Sequence, residues 1–224
     1  MTSDAFVGGW RTNASAATRP VYHRPMDGAS PDVTAFILAG GKSTRMGADK
    51  AFVTLDGRTL LERSLEVARS VATDVRIVGD AAKFAAFAPV VEDVFPGCGP
   101  LGGIHAALRA SRTELNLMLA VDVPFVSQAL LQYLIGRARD FTTATVTVAK
   151  AGGRWQPLCA VYQREFAGVA EEALRAGRYR IDALFAVTSI QVVEQNELEG
   201  AGFSLKMFRN LNTREELEAV REDG

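Results

Sequence analysis

The chain has 224 residues, a length suited to one α/β domain, and its 48% hydrophobic and 23% charged residues lie near the averages for soluble globular proteins. Lys and Arg number 25 against 26 Asp and Glu, a net charge of -1, so no overall field draws the chain to nucleic acid or to an anionic membrane. Two cysteines, Cys98 and Cys159, form no close-spaced pair, which argues against a disulfide framework and a structural zinc site. No apolar run approaches the roughly 20 residues of a membrane span, and the start lacks a signal-peptide pattern, so the cytoplasm is the expected compartment.

Residues 1–32 are rich in Ser, Thr, Ala, Gly, Pro and Arg and show no periodicity, which predicts a disordered extension. Met26 is a candidate true start, because the organised pattern opens a few residues later. From Val33 to Gly224 the chain reads as one domain of alternating strand and helix signals. A short apolar run at 34–38 predicts a buried strand entering the Ala39-Gly40-Gly41 turn. Apolar residues at helical spacing, Leu61, Leu65 and Ala68 among them, predict an amphipathic helix over 59–71.

Strands follow at 75–78 and at Val90-Val91, then a helix over 101–110 opened by Gly99-Pro100-Leu101-Gly102-Gly103. The wholly apolar strand 117–121 ends at Asp122. A helix at 126–139 and strands at 145–149 and 155–161 come next, then helices at 164–176 and 181–187 and a strand at 190–193. Thr213-Arg214-Glu215-Glu216 reads as a capping box that starts a last helix. This alternation predicts a three-layer α/β sandwich around a mixed, mainly parallel sheet, with ligands bound beyond the carboxyl ends of the strands. Gly40-Gly41, Asp93 and Asp122 all fall at such ends.

The strongest chemical signal is Leu38-Ala39-Gly40-Gly41-Lys42-Ser43-Thr44-Arg45-Met46-Gly47, followed by Asp49-Lys50. Glycines directly after a strand let backbone N–H groups approach an anion, and Arg45 and Lys50 add two cations suited to a triphosphate. The string is neither a Walker A loop nor the dinucleotide G-x-G-x-x-G pattern. By position, Asp122 is either a ligand for a hard cation or a helix cap. Asp93 is either part of the site or a turn residue. Lys150 and Arg154 flank a Gly-Gly turn and serve either an anionic substrate or a solvated hairpin. His23 lies in the extension and His105 reads as an ordinary helix-surface residue, so no Ser–His–Asp spacing exists to support a hydrolytic triad.

The glycine string, Glu92-Asp93, Pro96-Gly97-Cys98-Gly99-Pro100-Leu101-Gly102-Gly103, Asp122-Val123-Pro124-Phe125, Gln156-Pro157-Leu158 and Asn210-Leu211-Asn212-Thr213 resemble, in order, the motifs of the molybdenum cofactor guanylyltransferases. These are nucleotidyltransferases on a Rossmann-like sheet. The resemblance runs from Val33 to about residue 220. It implies transfer of GMP from GTP to molybdopterin with Mg²⁺, and molybdoenzymes or their chaperones as partners. It implies Lys50, Arg45 and Asp122 as the catalytic groups, with Asp122 holding the metal. Leu38, Ala39, Gly40, Gly41, Lys50, Asp93, Pro100, Leu101 and Asp122 would bind the nucleotide, and Asn210 and Asn212 the second substrate.

The Leu-Ala-Gly-Gly opening favours guanine, since the related cytidylyltransferases usually read Leu-Ala-Ala-Gly. A cytidylyltransferase, a sugar-phosphate nucleotidyltransferase, a cobinamide-phosphate guanylyltransferase and a non-catalytic nucleotide-binding partner of a molybdoenzyme stay open as alternatives. The sugar-phosphate enzymes usually carry Pro-Lys where this chain has Asp49-Lys50.

Overall fold

The computed structural model describes residues 29–40, 49–211 and 216. The expectations placed on Gly41, Arg45, Asn212, the capping box opened by Thr213 and residues 1–28 lie outside the described residues. Seven strands form one sheet in the order β5-β4-β1-β6-β8-β7-β9. They are β1 (Ser30–Leu38), β4 (Ala72–Val78), β5 (Val90–Val91), β6 (Leu115–Ala120), β7 (Val146–Ala151), β8 (Arg154–Gln163) and β9 (Ile190–Val193). All neighbours pair in parallel except β8, which runs antiparallel between β6 and β7. The sheet is thus mixed and mainly parallel, as the element order predicts.

Each central strand is buried on both faces. Along β1, Val33, Ala35 and Ile37 point into one apolar cluster and Phe36 into the other. The first cluster is covered by α1 (Leu60–Arg69), α4 (Gln128–Asp140) and α7 (Gln195–Gly200), the second by α3 (Pro100–Ala110), α5 (Phe166–Arg175) and α6 (Ile181–Leu184). These are the three layers. Full burial of a leucine such as Leu61 or Leu130 contributes about 2–3 kcal/mol.

Local chemistry sets the helix starts. Thr59 Oγ1 accepts the Glu62 N–H at 3.1 Å while Glu62 returns a bond to the Thr59 N–H at 2.8 Å, a complete capping box for α1. Ser127 accepts the Leu130 N–H and caps α4.

Two readings of the sequence need correction. The first strand reaches back to Ser30, ahead of the boundary read at Val33. Ser30 is buried and its N–H reaches the Val71 carbonyl at 3.0 Å, while Asp32 pairs with Arg139 at 2.7 Å. A register shift between Ser30 and Thr34, with Pro31 inside it, masks the strand in the sequence. Residues 54–59, of which the sequence reading assigned only Thr59, to a helix, hold a hairpin of β2 (Thr54–Leu55) and β3 (Arg58–Thr59). The small helix α2 (Ala81–Phe84) was also not anticipated. Among the described residues no helix is long and apolar enough to cross a membrane.

Candidate active site

The chain leaves β1 toward β4 and β5 on one side and returns to β6 on the other, so the order reverses between β1 and β6. Open α/β sheets bind ligands beyond the strand ends at such a point. The ladder continues past both strands. The Ala39 N–H reaches the Val78 carbonyl at 3.0 Å and the Val121 N–H reaches the Leu38 carbonyl at 3.2 Å. Gly40 and Asp122 each lie two residues beyond the paired Leu38 and Ala120. A methyl group added at Gly40 would meet Val78 O at 3.8 Å and Gly79 Cα at 3.9 Å, which is ordinary contact. Packing among the described atoms therefore does not require glycine at position 40.

Lys50 opens a single 3-10 turn (Lys50–Phe52). Asp49 caps that turn by accepting the Ala51 N–H at 3.2 Å, and its other oxygen holds the Lys83 ammonium at 2.8 Å. Donation of that bond to the Asp49 carboxylate raises the Lys83 pKa. So anchored, Lys50 Nζ donates to Asp122 Oδ2 at 3.0 Å, with the two side chains 16% and 21% exposed. Residues 72 positions apart thus meet at the switch point. Because Ser127 caps α4, Asp122 is not the cap of that helix.

The Asp122 carbonyl accepts the Leu211 N–H at 2.9 Å, which brings exposed Asn210 alongside the same strand end. Among the described residues, no group of three or more His, Cys, Asp or Glu side chains converges into a metal cage.

Asp93 follows β5 and does serve its own turn, accepting the Phe95 N–H at 2.9 Å. The carboxylate also presses on α3: a Cβ on Gly102 would lie 2.8 and 2.9 Å from its oxygens and 3.0 Å from the Phe95 carbonyl. Partial burial raises the Asp93 pKa, against the opposing pull of the Phe95 N–H bond. Gly99, at φ 69° and ψ -160°, takes the turn into α3 with no side-chain cap, and Pro100 occupies the first helical position. The Leu101 side chain is wholly buried in the second apolar cluster, so only its main chain is left to meet a ligand.

His105 is not the helix-surface residue that its isolated position indicated. It is 3% exposed, its ring stands edge-on to Phe95 at 5.1 Å, and Nε2 lies 3.6 Å from Glu171 Oε2. The sequence hides this because α3 packs on both the sheet and α5.

Beyond β8 an open cleft of about 480 Å³ runs from Pro100 to Arg154, Trp155 and Leu158 and on to Tyr179 and Asp182. Lys150 lies over the Trp155 ring at 5.2 Å, while Arg154 is exposed, so the two cations of the Gly-Gly turn have different surroundings. Tyr162 donates to the Pro157 carbonyl at 2.8 Å and fixes the β8 side of the cleft. Tyr179 and Asp182 were not singled out in the sequence, where they carry only the weak signal of the mixed aromatic and charged run 178–182 around the start of α6.

Residues 35–191 match the MobA-like NTP transferase domain. A molybdenum cofactor guanylyltransferase from Desulfosudis oleivorans is 38% identical over 189 residues, 83% of this chain and 93% of that protein. A probable molybdenum cofactor guanylyltransferase from Aquifex aeolicus is 33% identical over 84% of this chain and 89% of its own length. Molybdopterin-guanine dinucleotide biosynthesis protein A from Archaeoglobus fulgidus has a solved structure that superposes with a TM-score of 0.74 at 27% identity, over 85% of this chain and 97% of that one. A 4-diphosphocytidyl-2C-methyl-D-erythritol synthase from Anaerococcus prevotii, at 14% identity and a TM-score of 0.65, shares the fold alone. The switch-point site, the sheet that builds it and these likenesses agree: the chain belongs to the MobA-like NTP transferase family, among the molybdenum cofactor guanylyltransferases.

Proposed function

We propose that the chain transfers GMP from GTP to the terminal phosphate of molybdopterin carrying molybdenum, in the cytoplasm, releasing pyrophosphate. The single observation that carries the reading is the pairing of Lys50 with Asp122 at 3.0 Å at the topological switch point. A cation and a carboxylate that neutralise each other there are the partners a triphosphate and a divalent metal would separate.

In this reading the backbone N–H groups of Gly40 and Gly41, with Arg45 and Lys50, hold the β- and γ-phosphates. Close approach of phosphate supplies the reason for glycine at position 40 that packing does not. Leu38, Ala39, Pro100, Leu101 and Asp93 frame the nucleoside, and Asn210 and Asn212 face the acceptor.

Asp122 fits Mg²⁺, which keeps near-octahedral geometry with one or two protein carboxylates and takes its other ligands from phosphate and water. A partly exposed carboxylate at the end of a buried strand meets that need without a cage. When bound, the ion neutralises charge on the phosphates. An acceptor phosphate oxygen attacks the α-phosphorus in line, the bond to the β-phosphate oxygen breaks, and pyrophosphate leaves. The protein orients and neutralises, and no side chain forms a covalent bond.

The test supplies molybdenum-loaded molybdopterin with GTP or CTP and identifies the product by mass. The guanine dinucleotide is expected, with kcat/KM for GTP far above that for CTP, because a pocket that hydrogen-bonds a base edge rejects the wrong base strongly. Comparable values for the two nucleotides would remove the guanine assignment.

A further inference from the structure

The turn that carries Lys50 and the turn at Gly40 both rest on the short helix α2. The Lys50 turn meets α2 through two side chains. Lys83 of α2 donates to Asp49 Oδ2 at 2.8 Å, while Asp49 Oδ1 accepts the Ala51 N–H and caps the turn. Phe52, at the other end of the turn, stacks on Phe84 of α2, with ring centroids 5.8 Å apart and planes 24° from parallel. Phe87 lies against the same Phe52 ring, also at 5.8 Å. An ion pair at one end and a ring stack at the other thus hold the turn.

The glycine turn leans on the same helix. A Cβ on Gly79 would lie 2.9 and 3.0 Å from two ring carbons of Phe84 and 3.6 Å from the Gly40 nitrogen. Phe84 and the Gly40 main chain therefore share the space over Gly79, and a side chain there would displace the ring. Phe84 is itself fully buried in the first apolar cluster. Asp80 caps α2 by accepting the Ala82 N–H at 2.9 Å. The helix is four residues long, yet core packing and its cap fix it. Gly40 and Asp49, which bracket residues 41–48, are thus placed by one support.

We infer that Lys83 and Phe52 are positioning residues for the nucleotide: α2 sets the Lys50 turn, and Lys50 meets the triphosphate. The inference rests on the guanylyl-transfer reading, which puts Lys50 on the β- and γ-phosphates. A lysine carries its ammonium on a flexible four-carbon stem, so the place of the charge depends on where the main chain is held. Without nucleotide, Asp122 holds Nζ at 3.0 Å. When the triphosphate takes Nζ from Asp122, the hold of Asp49 and Phe52 on the main chain persists. A turn fixed beforehand lowers the cost of ordering Lys50 on binding. Lys83, engaged with Asp49, acts through Lys50 and does not itself meet phosphate.

A double-mutant cycle in GTP affinity, measured by calorimetric titration of the full chain with GTP and Mg²⁺, tests it. Lys83→Met keeps the length of the side chain and removes its charge. It is expected to raise Kd for GTP about three- to fivefold, the upper range for a half-exposed ion pair, with Tm little changed. Lys83→Arg, which restores the pair, should stay within about twofold of wild type. Phe52→Leu, which breaks the ring stack, should weaken GTP by a similar factor to Lys83→Met. Lys50→Ala is the decisive background: there both substitutions should add almost nothing, because the group they position is gone. Equal losses with and without Lys50 would mean that Lys83, or the charge of Asp49, acts on the phosphates directly, and would overturn the inference. So would a wild-type Kd in Lys83→Met. Coupling to Lys50 in a chain that forms no guanine dinucleotide would leave the inference standing and remove the transfer reading. Guanylyl transfer without the coupling would do the reverse.

Discussion

Lys50 Nζ donates to Asp122 Oδ2 at 3.0 Å, and each of the two residues is tied down from behind. Asp49 caps the turn that carries Lys50 and binds Lys83 on α2, while the Asp122 carbonyl receives the Leu211 N–H. The pair is therefore preorganised by main chain from both halves of the sheet. Preorganised charge accelerates a phosphoryl-type transfer without reordering during the reaction.

Replacing Lys50 with alanine removes a cation from the triphosphate side. The loss expected in kcat/KM corresponds to about 1.5–3 kcal/mol, the scale of a charge-assisted bond. Stability should fall by about 1 kcal/mol or less, because Asp122 keeps solvent access once its partner is gone. A well-folded Lys50→Ala protein with wild-type kcat/KM would remove Lys50 from the site.

Gly102→Ala separates helix propensity from close packing. In a helix the change alone stabilises by about 1 kcal/mol. Here the new Cβ would meet the Asp93 carboxylate at 2.8 Å and the Phe95 carbonyl at 3.0 Å, and the latter is main chain that cannot swing away. Overpacking of this kind costs about 1–3 kcal/mol, so the net effect is expected to be destabilising. Displacement of the Asp93 turn should raise KM for GTP. Denaturant unfolding that shows a stabilised variant with unchanged KM would contradict the close contact.

The pH dependence of Asp93 has a fixed sign. Partial burial raises its pKa, so the folded state holds the proton more tightly than the unfolded chain. Its contribution to stability is complete below the unfolded value, about pH 4, and is lost as pH rises through the folded one. Asp93→Asn keeps an acceptor for the Phe95 N–H and removes the charge. Paired unfolding curves should show the variant more stable than wild type at pH 7, with the advantage gone below about pH 4. KM for GTP should rise at pH 7. Gain in stability together with loss in binding is the signature of a carboxylate kept for a ligand.

Much of the fold was legible in local pattern. Apolar runs bounded by glycine or aspartate, such as 117–121, marked the buried strands, and the spacing of Leu61, Leu65 and Ala68 marked α1. The β2–β3 hairpin had a signal too: Asp56-Gly57, with φ of 50° and 78°, is the dipeptide that a tight turn with two positive φ values favours. Lys50, after the glycine loop, and Asp122, at a strand end, stood out in the sequence as single charged residues, and the fold brings them together. The site was not legible where tertiary packing decides. The burial of His105 depends on α5, the place of Asn210 on the Leu211–Asp122 bond, and the cleft on three segments of the chain, at Pro100, Gly153–Leu158 and Tyr179–Asp182.

The most direct test of the account is pyrophosphate release against Mg²⁺ concentration for wild type and Asp122→Asn. The substitution keeps the shape of the side chain and a group that can accept from Lys50, but removes the charge. With Ser127 capping α4, the start of that helix does not depend on it. Turnover is expected to fall by about two orders of magnitude or more, as several kcal/mol of charge stabilisation are lost, with Tm little changed. A variant that reproduces the wild-type Mg²⁺ curve would contradict the metal-ligand role of Asp122 and, with it, the proposed mechanism.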